Sequence, residues 1–354
     1  MAFLEQIKIA EAKNERKQMT KGCLYLLLIW IVLAVFIIVF RWCSPMVSKK
    51  PININLGENE KVGFISLNTD SNEIYYLSID QSKIKKYSIK QKRIDDVLDL
   101  NLDNIVRVNF SPDFSKVIIQ KFDPYQGIRA NFLYTLSTQE KKELSNNFRE
   151  NAWSPDSSKI AYRYRDWDRN IDELFLASPD AINIKKITDL GSGVEGIELD
   201  WINNEKISYY AIPAEENIVP AFVTDINSLT ENNITKDGKY TGVKFFGEKG
   251  LATILATDQK SETAVIDSSG NLIKKLDINA DLTKTIISGN ILFVAAPDSN
   301  GGSLYQINID SVQSKQLFKS SAKDKFSITN FVVDPQNKIV YFLSNAKLFK
   351  LKYE

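Results

Sequence analysis

Residues 162–172 concentrate the side chains that are best suited to bind a partner. Tyrosine, arginine and aspartate residues surround Trp167 there, and Trp, Tyr and Arg are the residue types enriched at the centres of protein interfaces. We expect a partner-binding patch, called the rim patch below, that consists of Arg165, Trp167, Arg169, Tyr125 and Arg129. Its predicted partner is a protein or a cell-wall polymer.

The same stretch carries oxygen ligands at every second position, namely Asp166, Asp168, Asn170 and Asp172. This spacing is that of a calcium loop, but an EF-hand needs Gly at its sixth position and Glu at its twelfth. Ile171 and Ala177 stand at those positions, so the EF-hand pattern fails. A looser calcium site is the weaker alternative to carboxylates that are solvated or paired with neighbouring arginines.

Catalytic motifs are absent from the sequence. The chain has no histidine, which excludes Ser-His-Asp and Cys-His catalysis, His-ligated zinc and haem with a proximal histidine. It also lacks Gly-x-Ser-x-Gly and a phosphate-binding loop. Chemistry by two carboxylates remains open, because the sequence alone cannot single out one acidic pair. No cofactor is expected.

The charge distribution argues against nucleic acid as a partner. Residues 51–354 carry 37 basic and 41 acidic residues, a net charge of −4. Nucleic-acid binding needs a basic stripe that displaces counterions from phosphates. We therefore predict no nucleic-acid partner.

A short turn that occurs twice organises the chain that must position these residues. Phe110-Ser111-Pro112-Asp113 and Trp153-Ser154-Pro155-Asp156 lie 43 residues apart, and each precedes an apolar strand. Proline presets φ at the second turn position, and aspartate closes the reversal with a bond to the backbone. The aromatic residue before the turn is large enough to fill the space between two sheets.

Weaker copies of this unit continue to the C-terminus. Aligned turn positions are Thr69, Pro112, Pro155, Asn203, Glu248, Asn290 and Pro335, at steps of 42 to 48 residues. About four short strands per unit at this period is typical of propeller blades. The sequence predicts an all-β, seven-bladed β-propeller over residues 52–354.

The repeated pattern, aromatic-Ser-Pro-Asp-x-Ser-Lys followed by two apolar residues, resembles the repeat of TolB-type propellers, which are related to WD repeats and to the non-catalytic propellers of dipeptidyl peptidases. Residues 110–119 and 153–162 match it well, and 333–340 match it in part. The resemblance implies the fold alone, because such propellers serve unrelated functions.

An uncharged apolar stretch, residues 22–40, precedes the propeller. At 1.5 Å per residue this stretch spans roughly 28 Å as a helix, enough to cross a bilayer core. No small-residue cleavage site follows it. We predict an uncleaved signal anchor, with a cytoplasmic tail over 1–21 and a linker over 41–51. The only cysteines, Cys23 and Cys43, flank the span roughly 30 Å apart and cannot pair within one chain.

Flanking charge predicts the orientation of this anchor. The N-terminal side carries five basic residues and the first ten residues after the span carry three. The excess favours a cytoplasmic N-terminus and an extracytoplasmic propeller at the plasma (inner) membrane. The tail itself is either a membrane-surface helix or, as we favour, a flank that orients the span.

The sequence also predicts which segment closes the ring and which side chains face the central channel. The last unit offers three strands, so we expect residues 52–56 to supply its missing outer strand; an unpaired linker is the alternative. Alternation on the first strands places four polar side chains toward the central channel. These are Arg107, Asn109, Glu198 and Asp200.

The connection between the second and third strands varies most among the units. It is expected to be short in units one, five and seven, and to carry insertions at 123–130, 165–172, 213–220 and 297–303. All of these emerge on one rim, which is either a binding surface or a set of surface turns that have drifted. Binding is the predicted function, and a carboxylate-dependent hydrolase acting in the channel is the alternative.

Overall fold

The computed structural model describes residues 50–57, 60–124, 128–191, 194–213, 220–235, 240–246, 249–255, 261–276, 278–298 and 301–353. Within these residues the chain forms seven antiparallel sheets of four strands each. The predicted all-β, seven-bladed propeller is therefore confirmed.

Each blade runs from a first, inner strand to a fourth, outer strand. The first four blades contain β2 (Val62–Asn68), β3 (Glu73–Ser78), β4 (Lys83–Ser88) and β5 (Arg93–Asp99); β6 (Ile105–Phe110), β7 (Lys116–Asp123), β8 (Ile128–Thr135) and β9 (Glu140–Leu144); β10 (Phe148–Trp153), β11 (Ile160–Asp166), β12 (Ile171–Ala177) and β13 (Lys185–Asp189); and β14 (Val194–Trp201), β15 (Lys206–Pro213), β16 (Ala221–Asp225) and β17 (Glu231–Asn233).

The remaining blades contain β18 (Tyr240–Phe246), β19 (Lys249–Leu255), β20 (Ser261–Asp267) and β21 (Leu272–Leu276); β22 (Thr285–Ser288), β23 (Ile291–Asp298), β24 (Gly301–Asn308) and β25 (Gln313–Lys319); and β26 (Asn330–Asp334), β27 (Ile339–Ser344) and β28 (Lys347–Lys352), completed by β1 (Ile52–Asn53). One 3-10 turn, Leu282–Lys284, precedes the sixth blade, and the Asp281 side chain caps it by accepting a bond from the Thr283 amide.

Both Ser-Pro-Asp turns form as the sequence predicts. In the first, the Phe114 amide donates to the Ser111 carbonyl at 2.9 Å, and Asp113 Oδ1 accepts from the Ser115 amide at 3.0 Å. In the second, Asp156 Oδ1 accepts from the Ser158 amide at 3.0 Å. Six of the seven aligned turn positions connect the first and second strands of a blade, and Glu248 lies outside the described residues.

The hydrophobic core is divided into clusters that lie between neighbouring blades. Phe110 of β6 packs with Tyr75, Leu77 and Ile84 of blade one. Trp153 of β10 packs with side chains of blade two in the same way. The prediction that the aromatic residues before the turns fill the space between blades is confirmed.

The N-terminal strand closes the ring. In β1, Ile52 pairs with Lys350 and Asn53 with Phe349 of β28, and the Ile54 amide donates to the Leu348 carbonyl at 2.9 Å. The predicted outer strand of the last blade is confirmed, although the ladder ends earlier than residue 56. Leu56 instead packs in the cluster between blades seven and one.

The loops at the predicted rim insertions are shorter than predicted, because the strands on either side of them are longer. In blade three, β11 and β12 stay paired as far as Asp166 and Ile171, so only residues 167–170 form the connection. In blade two the pairing continues to Asp123 and Ile128. In blades four and six the strands run to Pro213 and Asp298. Cross-strand pairing, including the opposite charges of Arg165 and Asp172, extends the ladder into stretches that were predicted to be loops.

The predicted cytoplasmic tail (1–21) and transmembrane helix (22–40) lie outside the described residues, as do residues 41–49 of the linker. Among the residues that the structure does describe, no helix has the length and apolar character needed to cross a bilayer.

Candidate functional site

A buried arginine lies beneath the rim patch. Arg163 of β11 is 1% exposed, and its Nε and Nη2 donate to the two carboxylate oxygens of Asp172 at 2.7 and 2.6 Å. Its Nη1 donates to the main-chain carbonyl of Glu195 on blade four at 3.3 Å. Because a buried charge is stable only when paired and hydrogen-bonded, Asp172 and Glu195 fix the Arg163 side chain.

Arg165 and Trp167 form a stacked pair in which the arginine is mostly buried and the indole is exposed. Arg165 Nη1 lies 3.1 Å from Asp172 Oδ2, and the guanidinium lies 3.5 Å above the Trp167 ring. Burial lowers the pKa of Arg165, and the Arg163 charge lowers it further. Trp167 is 66% exposed, so the stacked arginine holds a large aromatic face toward solvent.

Arg169 lies on the same turn but belongs to a separate ion pair. Its Nε is 2.6 Å from Asp166 Oδ2, and its Nη2 donates to the Tyr164 hydroxyl at 3.0 Å. The hydrogen bonds from Arg169 lower the pKa of Asp166. Arg169 therefore extends the rim patch beside Trp167 without joining the buried cluster.

Arg129 approaches this cluster from blade two. It is exposed on β8, and its guanidinium lies 5.3 Å over the Phe122 ring. Tyr125, the remaining member of the rim patch, lies outside the described residues.

One residue that was not predicted, Arg149, links the two halves of the rim patch. It lies on β10, where an irregular register between Phe148 and Asn151 bulges the strand. Burial lowers the pKa of Arg149, as do the charges of Arg129, Arg163 and Arg165, while Glu150 raises it. The structure thus brings four arginines of two blades into one electrostatic cluster.

Two of the carboxylates in the alternative calcium site already form ion pairs with arginines. Asp172 is bound by Arg163 and Arg165, and Asp166 by Arg169. Among the described parts of the chain, no group of three or more histidine, cysteine, aspartate or glutamate residues is placed to hold a metal ion. Asp166 and Asp172 are thus paired with arginines, which the sequence offered as the other explanation for carboxylates in this stretch.

Three of the four polar side chains predicted for the central channel, Arg107, Asn109 and Glu198, line one cavity. This cavity of about 250 Å³ is lined by residues of the inner strands of four blades, including Arg107, Asn109, Glu150 and Glu198. Burial raises the pKa of Glu198, and the charges of Asp200 and Glu150 raise it further, against Arg107 and Lys244. Glu198 is therefore a channel acid that holds its proton to a higher pH than an ordinary glutamate.

The two other carboxylates near Glu198 face cations. Glu150 Oε2 is 3.6 Å from Arg163 Nη1, and Asp200 Oδ2 is 3.6 Å from Lys244 Nζ. A hydrolase of the glycosidase type needs a protonated acid and a second carboxylate across the substrate. In this channel the candidates for the second carboxylate are each held beside a positive charge.

Comparison with known proteins shows similarity at the level of the fold. No family model matches the chain, and no curated protein matches it in sequence. The β-propeller domain of the trilobed protease from Pyrococcus furiosus is similar with a TM-score of 0.59 and 14% identity, over 85% of this chain and 95% of that one. A prolyl endopeptidase is similar with a TM-score of 0.61 and 12% identity, over 82% of this chain and 50% of that one, so this chain spans about half of that enzyme.

TolB from Acinetobacter baumannii is also similar, with a TM-score of 0.46 and 14% identity over 72% of this chain and 62% of TolB. The resemblance to the TolB-type propeller fold that the repeated turn predicted is confirmed at the level of the fold, by the seven four-stranded blades and by the propeller domain of the trilobed protease. Identities this low carry no information about ligand or activity.

Two residues of the site carried little signal in the sequence. Arg163 stands eight residues after Pro155, as Gln120 stands eight after Pro112. Both side chains donate to a bulged inner strand of the next blade, Gln120 to the Arg149 carbonyl at 3.0 Å and Arg163 to the Glu195 carbonyl. Comparison of the repeats would have indicated an inward-facing Arg163, whereas no pattern indicated Arg149.

Proposed function

We propose that the propeller is a binding platform that contacts a protein or cell-wall polymer through the rim patch. The observation that supports it is the exposure of Trp167, which is 66%. Arg165 is stacked on the Trp167 ring and is held there by its ion pair with Asp172. A rigid, exposed aromatic beside arginines is the composition of interface hot spots, because such side chains lose little conformational entropy on binding.

Partner capture tests this function. We expect pull-down from membrane extracts to lose its partner with Trp167→Ala and Arg165→Ala. The matched control is Ile184→Ala, which removes a side chain that is 58% exposed in the connection between β12 and β13, away from the turn that carries Trp167. Unchanged recovery with both rim variants would remove the rim patch as the contact surface.

We further propose that residues 22–40 anchor the chain in the plasma (inner) membrane, with the N-terminus cytoplasmic and the propeller outside. The support is the uncharged span and the excess of basic residues before it. A reporter fused after Glu354 should be active only outside the cytoplasm. Cytoplasmic activity of this fusion would reverse the orientation.

The competing function is a hydrolase that uses Glu198 as its acid. Its support is the raised pKa that burial gives this channel residue. The cations beside Glu150 and Asp200 count against a second reactive carboxylate, which is why we propose binding. Hydrolysis of polysaccharide or peptide that disappears in Glu198→Gln would establish the enzyme instead.

A further inference from the structure

We propose that Arg149, together with Arg129 and Arg165, binds a carboxylate of an acidic segment in a partner protein, beside Trp167. This inference rests on the proposed platform function and names the chemistry that the rim patch recognises. It adds Arg149, which the sequence did not indicate, as the central residue of the site.

The first observation is that no described carboxylate binds Arg149 directly, although the charge of Glu150 acts on it. Its guanidinium makes neither an ion pair nor a hydrogen bond with any residue that the structure describes, although the side chain is half-buried. Arg129 likewise has only the Phe122 ring beside it within the described chain. A partly desolvated guanidinium without a hydrogen-bonded partner is costly, and an external anion would relieve that cost.

The second observation is the local excess of positive charge. Within the described residues, the ion pairs of Arg129, Arg149, Arg163 and Arg165 involve two carboxylates, Asp172 and Glu150. Both acids lie within ion-pair distance of Arg163, and the charge of Glu150 also acts on Arg149 and Arg165. This basic cluster lies on a propeller whose net charge is −4 over residues 51–354, so it is a local feature that would steer an acidic partner to this rim.

The third observation is that the same cluster already binds one carboxylate. Asp172 receives two bonds from Arg163, at 2.7 and 2.6 Å, and a contact from Arg165 at 3.1 Å. Arginine forks match the planar carboxylate group in this way. Arg149 and Arg129 carry the same fork of donors, and an external carboxylate would bind to them as Asp172 binds to Arg163.

A protein segment fits the surroundings of these arginines. The Trp167 ring adjoins Arg165 and is 66% exposed, so an apolar side chain next to the acidic residue would pack against the indole. The contact would bury the exposed part of the indole, since the Arg165 side chain beneath it is already mostly buried.

The test is fluorescence anisotropy of a labelled hexaglutamate peptide with the full chain in detergent, with hexaglutamine as the uncharged control. We expect saturable binding of hexaglutamate alone. Loss of one charge-assisted hydrogen bond should weaken it roughly tenfold or more in Arg149→Gln and in the exposed variant Arg129→Gln. The matched control Arg93→Gln removes an exposed arginine of β5 and should bind within about twofold of the wild type.

Urea unfolding of each variant separates loss of binding from loss of fold, and Arg129→Gln keeps the test decisive if Arg149→Gln does not fold. The proposal is overturned if hexaglutamate does not bind, or if Arg149→Gln and Arg129→Gln bind it as tightly as the wild type does. Inorganic phosphate that binds in an Arg149-dependent way while hexaglutamate does not would also overturn it, since the site would then serve phosphate.

The outcome is distinguishable from that of the platform function. If Trp167→Ala loses the captured partner and hexaglutamate does not bind, the platform stands and the carboxylate chemistry falls. If hexaglutamate binds through Arg149 and Trp167→Ala still captures every partner, the anion site stands and the Trp167 contact surface falls.

Discussion

The indole Nε1–H of Trp153 donates a hydrogen bond of 3.2 Å to the main-chain carbonyl of Asn109 on the neighbouring blade. Trp201 repeats this bond to the Ala152 carbonyl at 3.1 Å. Both tryptophans stand two residues before a turn position, where blade two has Phe110. The residue that fills the space between two blades therefore also joins their inner strands.

Trp153→Phe should separate these two contributions. Phenylalanine keeps most of the buried ring but loses the indole donor, and leaves the Asn109 carbonyl without this partner. We expect a loss of about 1 kcal/mol in the free energy of unfolding, against about 3–5 kcal/mol for Trp153→Ala. Urea denaturation measures both, and Trp201→Phe is the matched variant one blade further on. Equal losses for Trp153→Phe and Trp153→Ala would show that the hydrogen bond stabilises the blade interface more than packing of the ring does.

Asp172→Asn should be strongly destabilising, because it removes the charged group that accepts two hydrogen bonds from the buried Arg163 guanidinium and leaves only Glu150, at 3.6 Å, among the described carboxylates. Removal of one member of a buried ion pair typically costs about 3–5 kcal/mol. The matched control is Arg169→Gln, which breaks an ion pair whose arginine is mostly exposed and should cost less than about 1 kcal/mol. Denaturant midpoints give both values. Similar midpoints for the two variants would contradict the structural role of Asp172.

Asp156, in the second Ser-Pro-Asp turn, should make the stability of the protein depend on pH in the acidic range. The Ser154 hydroxyl and the Ser158 backbone amide lower its pKa from 3.8 to about 2. A lowered pKa in the folded state means that the stabilisation is present above the ordinary pKa and is lost as the pH falls from about 4 to about 2. The stability difference between wild type and Asp156→Asn should therefore shrink across this range. If the stability difference between wild type and Asp156→Asn stays constant down to about pH 2, the hydrogen bonds to Asp156 do not lower its pKa.

Glu198 should make the stability of the protein depend on pH in the opposite direction. Burial raises its pKa, so ionising it costs stability, and that cost grows as the pH rises from the ordinary value of 4.5 through the folded value. We expect Glu198→Gln to gain stability relative to the wild type between pH 4 and pH 8. Denaturation at matched ionic strength measures this gain. A pH-independent difference would mean that Glu198 is well solvated in the channel.

The ring closure can be tested at a single bond. Ile54→Pro removes the amide that donates to the Leu348 carbonyl at 2.9 Å, whereas Ile54→Ala shortens the side chain and keeps the amide. We expect faster hydrogen exchange in β28 for Ile54→Pro, by a factor that corresponds to about 1 kcal/mol. Amides of β27 should change less. Identical exchange in the two variants would show that side-chain packing, and not the backbone ladder, holds the seam.

The repeated turn explains why the number of blades was predictable. Pro112 and Pro155 set the period, and the same period placed Asn203, Asn290 and Pro335 between first and second strands, although these units share few residues. Local turn chemistry and an aromatic that needs a large buried space are both readable from one sequence. The missing outer strand followed from counting three strands in the last unit.

The site was less predictable, for two physical reasons. Charged residues such as those at 165–172 are typical of a loop, yet the opposite charges of Arg165 and Asp172 stabilise a cross-strand pair. Arg149 lies in a bulge of β10, and a register shift leaves no periodic pattern in the sequence. Single-residue irregularities of this kind appear only when both partner strands are known.

The short strand β1 is held in the last blade by few backbone contacts. Two residue pairs and one further amide cover the outer edge of β28, and the donor segment is continuous with the chain that precedes the propeller. A second copy can offer the same segment to that edge, with identical contacts and no new surface. If two copies exchanged this segment, two closed rings would become one linked pair.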